Sequence, residues 1–360
     1  MLVISVLVCL SLGFGPPVLT SSDLAHNTLA PEQLRVMQPV PLPEISAQAS
    51  MLVDLVTGRI LYTHNEHERR APASLTKLVS VVVALEHGAL TTDMVVWPAD
   101  LAATTRSGLA NGEHLTMQQL LTLMLVASDN AAASAVARNL SGGSNDEAFV
   151  GWMNELVTRW GLKDTHFVNP HGLDDPDHYS TAYDLAIIAR NAMLVPFVAE
   201  VVAYPTAFVG NHQVNSTNEL LSAYPGLVGV KTGTTDDAGE CFIGMAIRPQ
   251  GRVMAVVLAS ADRFQDARLL LDYYYANYAG LLVNLTGSNL DRYLDNSQSW
   301  HGLVLKEPYT TLIKAWQLAN ISLYRRIDQL GEKPDPNQPV GALEVYLSGQ
   351  YLAEVPLYVQ

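Results

Sequence analysis

The stretch Pro72-Ala73-Ser74-Leu75-Thr76-Lys77 decides the reading of this chain. It predicts the start of a helix, because Leu75, Leu78, Val79, Val82 and Leu85 follow at helical spacing and imply one buried face. Ser74 and Lys77 are three residues apart, so they stack on the same face, one turn from each other. A serine hydroxyl is a weak nucleophile at neutral pH and needs a base within hydrogen-bond reach. A lysine in a dry, crowded site loses its proton more readily and can be that base. A helix N-terminus adds free backbone N–H groups suited to a developing oxyanion. A capping serine beside a solvated lysine gives the same short pattern, so the choice falls to the rest of the chain.

The 360 residues suit one large or two ordinary domains. Hydrophobic residues make up 49%, ample for a core, while charged residues are only 16% and the net charge is −14. That balance argues against nucleic acid and against an anionic membrane surface as partners. Cys9 and Cys241 lie far apart, so no disulfide framework is implied, and Cys241 reads as a small core residue in a strand. His64, His67, His171 and His178 are scattered without metal-ligand spacing and read as surface residues, so no metal is expected. The acidic run Asp174-Asp175-Pro176-Asp177 reads as a solvated loop.

Leu2 to Phe14 form an apolar run of signal-peptide length, too short for a comfortable transmembrane helix and without Lys or Arg before it. Residues 1–22 are therefore read as an export signal, removed or kept as an anchor, and 23–40 as a flexible lead-in. Cys9 has no lipobox-like small residues before it, so lipidation is not expected. The expected location is extracytoplasmic, in the cell wall or on the outer face of the cytoplasmic membrane, with any membrane association made through the N-terminal segment.

Ala49 to Val53 and Arg59 to Tyr62 predict two strands around the turn Asp54–Gly58. Residues 91–114 read as loop with short strands. Thr116 is an N-cap signal before the apolar face Met117, Leu120, Leu121, Met124 and Leu125. A helix over Ala131–Leu140 follows the break at Ser128-Asp129-Asn130. Asn145 or Asp146 caps the next helix, whose stripe runs from Phe149 to Trp160 and is closed by Gly161. Ser180 is expected to cap a helix from Thr181 to near Leu194. Leu227–Thr234, Cys241–Ile247 and Val253–Ala259 predict three strands of a meander, with Arg248-Pro249-Gln250-Gly251 as a hairpin turn. Phe264 to Tyr278 predict a closing helix. Residues 41–280 thus make a catalytic domain, 281–300 a polar linker and 301–360 a small β-rich domain. The sequence ends after a strand, without an amphipathic tail that would anchor it to a membrane.

Three short motifs occur in order: Ser74-Leu75-Thr76-Lys77, Ser128-Asp129-Asn130 and Lys231-Thr232-Gly233. A given tripeptide turns up by chance once in ~8,000 positions, so the ordered set with helix, loop and strand contexts is specific. These are the S-x-x-K, S-D-N and K-T-G elements of penicillin-recognising serine enzymes. The chain resembles the serine-type D-Ala-D-Ala carboxypeptidases, the low-molecular-mass penicillin-binding proteins. Further matching stretches are Thr165-His166-Phe167 with Asn169 and Gly172-Leu173, then Ser180 to Leu185, and Gly229 to Gly233 with Ala238-Gly239.

The resemblance implies an α+β fold: an antiparallel sheet flanked by helices, an all-α insert carrying Ser128, and a C-terminal all-β domain. It implies hydrolysis of the terminal D-Ala-D-Ala bond of peptidoglycan stem peptides, inhibition by β-lactams through a covalent adduct, and no cofactor. By the same resemblance Ser74 is the acylated nucleophile and Lys77 its base. Ser128 relays a proton to the leaving nitrogen, and Asn130 binds the substrate amide. Lys231 sets the electrostatics around Ser128, and Thr232 binds the terminal carboxylate with Arg263. Gly233 completes the third motif, and the N–H groups of Ser74 and Thr234 form the oxyanion hole. Thr234 stands where the family varies, a departure expected to bear on substrate preference. Two rivals stand beside this reading. A class A β-lactamase needs a glutamate in an E-x-x-L-N context, and no such string lies between the second and third motifs. A catalytically silent peptidoglycan-binding scaffold does not need the intact serine, lysines and asparagine.

Overall fold

Ala49–Asp54 form strand β1, buried along its whole length because it runs inside a sheet with neighbours on both sides. The computed structural model describes residues 40–103, 107–142, 145–285, 291–294, 298–328 and 335–360. The expected export signal and all of the lead-in but Val40 lie outside the described residues. β1 pairs with β2 (Ile60–His64) through the turn at Gly58, as its sequence predicts. The next elements are α1 (Lys77–His87), β3 (Asp93–Val95), α2 (Pro98–Leu101) and β4 (His114–Thr116). Then come α3 (Met117–Val126), α4 (Asn130–Leu140), α5 (Glu147–Arg159), α6 (Ala182–Met193) and α7 (Pro196–Val201). β5 (Thr206–Val209) and β6 (His212–Asn215) form a hairpin, followed by α8 (Leu220–Ala223). The meander β7 (Leu227–Thr235), β8 (Gly239–Arg248) and β9 (Gly251–Ser260) completes the sheet, whose order is β2-β1-β9-β8-β7. α9 (Arg263–Asn277) follows.

α1 departs from the expected one-faced burial: Lys77 through Ala84 are all buried. Helices α4, α5 and α6 pack around it, so its valines face apolar neighbours on every side. Burying each such side chain contributes ~1.5–3 kcal/mol. Thr116 caps α3 in a reciprocal box: Gln119 N–H donates to Thr116 Oγ1 at 3.3 Å, and Thr116 N–H donates to Gln119 Oε1 at 2.8 Å. The cap of α6 is Thr181 and not Ser180; Asp184 N–H donates to the Thr181 hydroxyl at 3.0 Å. Ser180 is instead bridged to Arg70 through the backbone, and its hydroxyl bonds Thr165 at 2.8 Å.

Two compact units divide the chain within α9: Leu42–Arg248 with Arg252–Tyr274, and Pro249–Gly251 with Tyr275–Gln360. Tyr278 does not extend the closing helix but opens β10 (Tyr278–Val283), which pairs with β13 (Tyr309–Lys314). The expected linker 281–300 is corrected in the same way. It holds the end of β10, β11 (Arg292–Leu294) and the first residue of β12 (Trp300–Val304). Leu281, Val283 and Leu285 are core residues of the second unit, so burial overrides the polar composition around them. β14 (Ile321–Ile327), β15 (Gly341–Leu347) and β16 (Gln350–Val359) join β11 and β12 in a sheet of order β11-β12-β16-β15-β14. Among the described residues, no helix is long and apolar enough to cross a membrane.

Candidate active site

Ser74 lies in a 3-10 turn, Ala73–Thr76, that runs directly into α1. Lys77 is the first residue of α1, and its side chain has no exposed surface. Its Nζ makes three close contacts: Ser74 Oγ at 2.7 Å, Asn130 Oδ1 at 2.7 Å and the His171 carbonyl oxygen at 2.8 Å. Asn130 opens α4, whose N-cap is Asp129; Ala132 N–H donates to the Asp129 carboxylate at 3.0 Å. Ser128 sits in the tight turn between α3 and α4 with φ 61°, a left-handed conformation that turns its hydroxyl away from the helix path. Capping by Asp129 leaves that hydroxyl free for another partner. Lys231, on β7, donates to Ser128 Oγ at 2.8 Å and to the Thr232 carbonyl at 3.0 Å.

β7 runs against the 3-10 turn at very short range. A Cβ on Gly233 would stand 3.0 Å from Ala73 Cβ and 3.1 Å from Ser74 N, so only glycine lets the strand approach. The Thr232 and Thr217 hydroxyls are 2.5 Å apart. Arg263 Nη1 donates to the Gly233 carbonyl at 2.9 Å and to Thr234 Oγ1 at 2.5 Å. Ser74, Ser128, Asn130, Thr232, Thr234 and Arg263 line one cleft of about 360 Å³. Gly233 lines it as well, and Lys77 and Lys231 bond its lining residues Ser74, Asn130 and Ser128, so all nine residues singled out in the sequence converge.

Burial, and next the positive charge of Lys231, hold the Lys77 amine well below the usual lysine value. Lys231 is pushed down to about 7, by burial first and then by the Arg263 guanidinium. A neutral Lys77 keeps two hydrogens, which the Asn130 and His171 oxygens accept, and turns its lone pair to the Ser74 hydroxyl. That arrangement can take the serine proton as the oxygen attacks.

Of the histidines expected at the surface, His178 is buried at 2% exposure, and His171 is half-buried with its carbonyl turned to Lys77. A backbone acceptor has no sequence signature, so nothing local could have revealed the second. No motif marks Thr217 either; it precedes α8 in a polar stretch, and its approach to Thr232 brings it to the cleft.

The sequence profile of the D-alanyl-D-alanine carboxypeptidases, peptidase family S11, matches residues 34–262. The chain is 31% identical over 338 residues to D-alanyl-D-alanine carboxypeptidase DacF of Bacillus subtilis, across 86% of this chain and 84% of that one. It is 34% identical over 226 residues to D-alanyl-D-alanine carboxypeptidase DacB2 of Mycobacterium tuberculosis, across 61% of this chain and 77% of the other. Penicillin binding protein 5 of Haemophilus influenzae superposes with a TM-score of 0.68 at 28% identity, covering 89% of this chain and 98% of that structure. With the profile covering every lining residue of the cleft but Arg263, and the relatives extending into the β-rich unit, this chain belongs to the D-alanyl-D-alanine carboxypeptidase family of serine peptidases.

Proposed function

We propose that Ser74 carries out the D-Ala-D-Ala carboxypeptidase reaction on peptidoglycan stem peptides. The Lys77 amine takes the Ser74 proton, and Oγ bonds to the carbonyl carbon of the penultimate D-alanine. The N–H groups of Ser74 and Thr234 hold the oxyanion. The C–N bond breaks as the Ser128 hydroxyl relays to the leaving D-alanine nitrogen the proton that Lys77 took from Ser74. Lys231 supports that transfer through its contact with Ser128. Thr232 and Arg263 bind the free carboxylate of the peptide, and Asn130 its amide. Water then adds to the ester carbon, releases the shortened peptide and restores the Ser74 hydroxyl.

The observation that carries this reading is the buried Lys77 amine 2.7 Å from Ser74 Oγ, with both remaining contacts made to oxygens. β-Lactam binding belongs to the family, and a penicillin would acylate the same oxygen. Residues 1–22 serve as the export signal or an N-terminal anchor, which places the enzyme at its extracytoplasmic substrate; the short apolar run Leu2–Phe14 supports this. The 301–360 region is then an accessory domain, and the cleft belongs to the catalytic domain alone.

The test is intact mass after brief incubation with benzylpenicillin, alongside Ser74→Ala, together with D-alanine release from a pentapeptide. A stable adduct on wild type alone, with D-alanine released, is expected. Rapid loss of the adduct with penicillin consumed would favour a β-lactamase. No adduct on folded protein would favour a silent scaffold.

A further inference from the structure

A buried relay ends on the residue before the nucleophile. Val168 N–H donates to His178 Nδ1 at 3.1 Å. A backbone N–H can only donate, so Nδ1 is the acceptor and the ring proton sits on Nε2. His178 Nε2 is 2.8 Å from Thr76 Oγ1, so the ring donates to that hydroxyl. The Thr76 hydroxyl is left with one hydrogen, which it gives to the Ala73 carbonyl at 2.8 Å. His178 and Thr76 are both almost wholly buried, and the Phe167 ring packs edge-on to the imidazole at 5.3 Å. No rotation of either polar group is satisfied by solvent, so the direction of the relay is set.

The Ala73 carbonyl is one end of the Ala73–Ser74 peptide plane, and the Ser74 N–H is the other. In a trans peptide the two point in opposite directions. Ala73 is also in the left-handed region, with φ 48°, a costly conformation that persists only where surroundings enforce it. The loop after His171 closes on the same carbonyl, since a Cβ on Gly172 would stand 1.9 Å from Ala73 O. On the opposite side, Ser74 N faces β7 beside Gly233.

We propose that His178 is a positioning residue, which acts through Thr76 to hold the Ala73 carbonyl inward and so aim the Ser74 N–H into the cleft as an oxyanion donor. This rests on the proposed role of Ser74 N–H in acyl transfer. None of the three active-site motifs contains His178, and it is not among the residues that line the cleft. Its neutral form is required, because a second proton on Nδ1 would face the Val168 N–H. Burial holds His178 near 4, against the opposing charges of Asp174 and Asp175 and with those of His166 and Lys77.

Stopped-flow acylation by benzylpenicillin tests the relay in the full chain, with the encounter affinity and the acylation rate constant read separately. His178→Phe and Thr76→Val should each lower the rate constant on the order of 10- to 100-fold, less than the 10²–10³ of losing a donor outright. The encounter affinity should stay within about twofold, because the carboxylate contacts are intact. The double variant should be no slower than the slower single one, since both changes cut the same relay. His178→Gln, which can accept from Val168 and donate to Thr76, should recover most of the rate and serves if His178→Phe fails to fold. Unchanged acylation in Thr76→Val, a loss in His178→Gln as large as in His178→Phe, losses that multiply in the double variant, or affinity falling in step with rate would each overturn the relay. Absence of any Ser74 adduct in wild type would instead overturn the acyl-transfer reading beneath it.

Discussion

Lys77 Nζ lies 2.7 Å from Ser74 Oγ with no water-accessible surface on the lysine. Arginine at 77 would keep hydrogen-bond donors but carries a fixed charge and cannot give up its proton. Lys77→Arg should therefore lower the rate of acylation by benzylpenicillin by ~10²–10⁴, the usual worth of a general base. Thermal unfolding of the same preparation distinguishes this from a loss of fold.

The two buried lysines predict the pH profile. Lys77 works as the neutral amine, so kcat/KM should rise with pH through its depressed pKa. Lys231 works as the ammonium, and it is pushed to about 7, so activity should fall as pH rises past that region. The Lys231 charge is one cause of the Lys77 depression. Lys231→Gln should then move the acid limb of the residual activity to higher pH. Arg263→Gln, which removes a charge that lowers Lys231, should move the base limb to higher pH. A profile that does not move in either variant would show that these charges do not govern it.

Gly172 has φ 89° and sits where a side chain would meet the Ala73 carbonyl at 1.9 Å and Thr76 Oγ1 at 2.9 Å. Gly172→Ala should displace the 3-10 turn and abolish adduct formation, while the second unit keeps its β-structure. Gly58, whose added Cβ would meet nothing within 4 Å, is the control: Gly58→Ala strains only its own backbone and should leave acylation unchanged.

Arg138 and Asp100 form a buried pair, with side chains 5% and 2% exposed. The guanidinium binds the carboxylate through Nε at 2.9 Å and Nη2 at 2.8 Å, and also donates to the Val95 carbonyl at 2.5 Å. Trp97 stacks on it at 4.1 Å. Arg138→Met would leave Asp100 buried and uncompensated, at a cost of ~3–5 kcal/mol. Arg138→Met with Asp100→Leu should recover part of that loss in a denaturant titration.

Local reading reached as far as local forces do. Thr116 and its partner Gln119 follow a capping pattern within one turn, and the structure shows that box. Ser180 and Thr181 are both capping residues by type, and the choice between them was made by a contact from Thr165 and a bridge to Arg70. Tyr278 continues the spacing of α9, yet it belongs to β10 because Lys314 on β13 pairs with it. The polar 281–300 segment reads as linker, but Leu281 and Val283 find a core that its composition does not reveal. His178 looks like any loop histidine until Thr76, more than 100 residues earlier, is brought to 2.8 Å.

What the sequence determined by itself is chemical inventory and local context: a serine and a lysine one turn apart, a second serine before a helix, and a lysine on a strand. Periodicity and capping are short-range, so these could be read in isolation. What only the tertiary structure decided is that Ser74, Asn130 and Lys231 share one cleft, and that both lysines are dry. Lys231 reaches Ser128 across 103 residues of chain. The depressed amines follow from that burial and from one cation beside another. Desolvation depends on every element packed around a group, which no local pattern encodes.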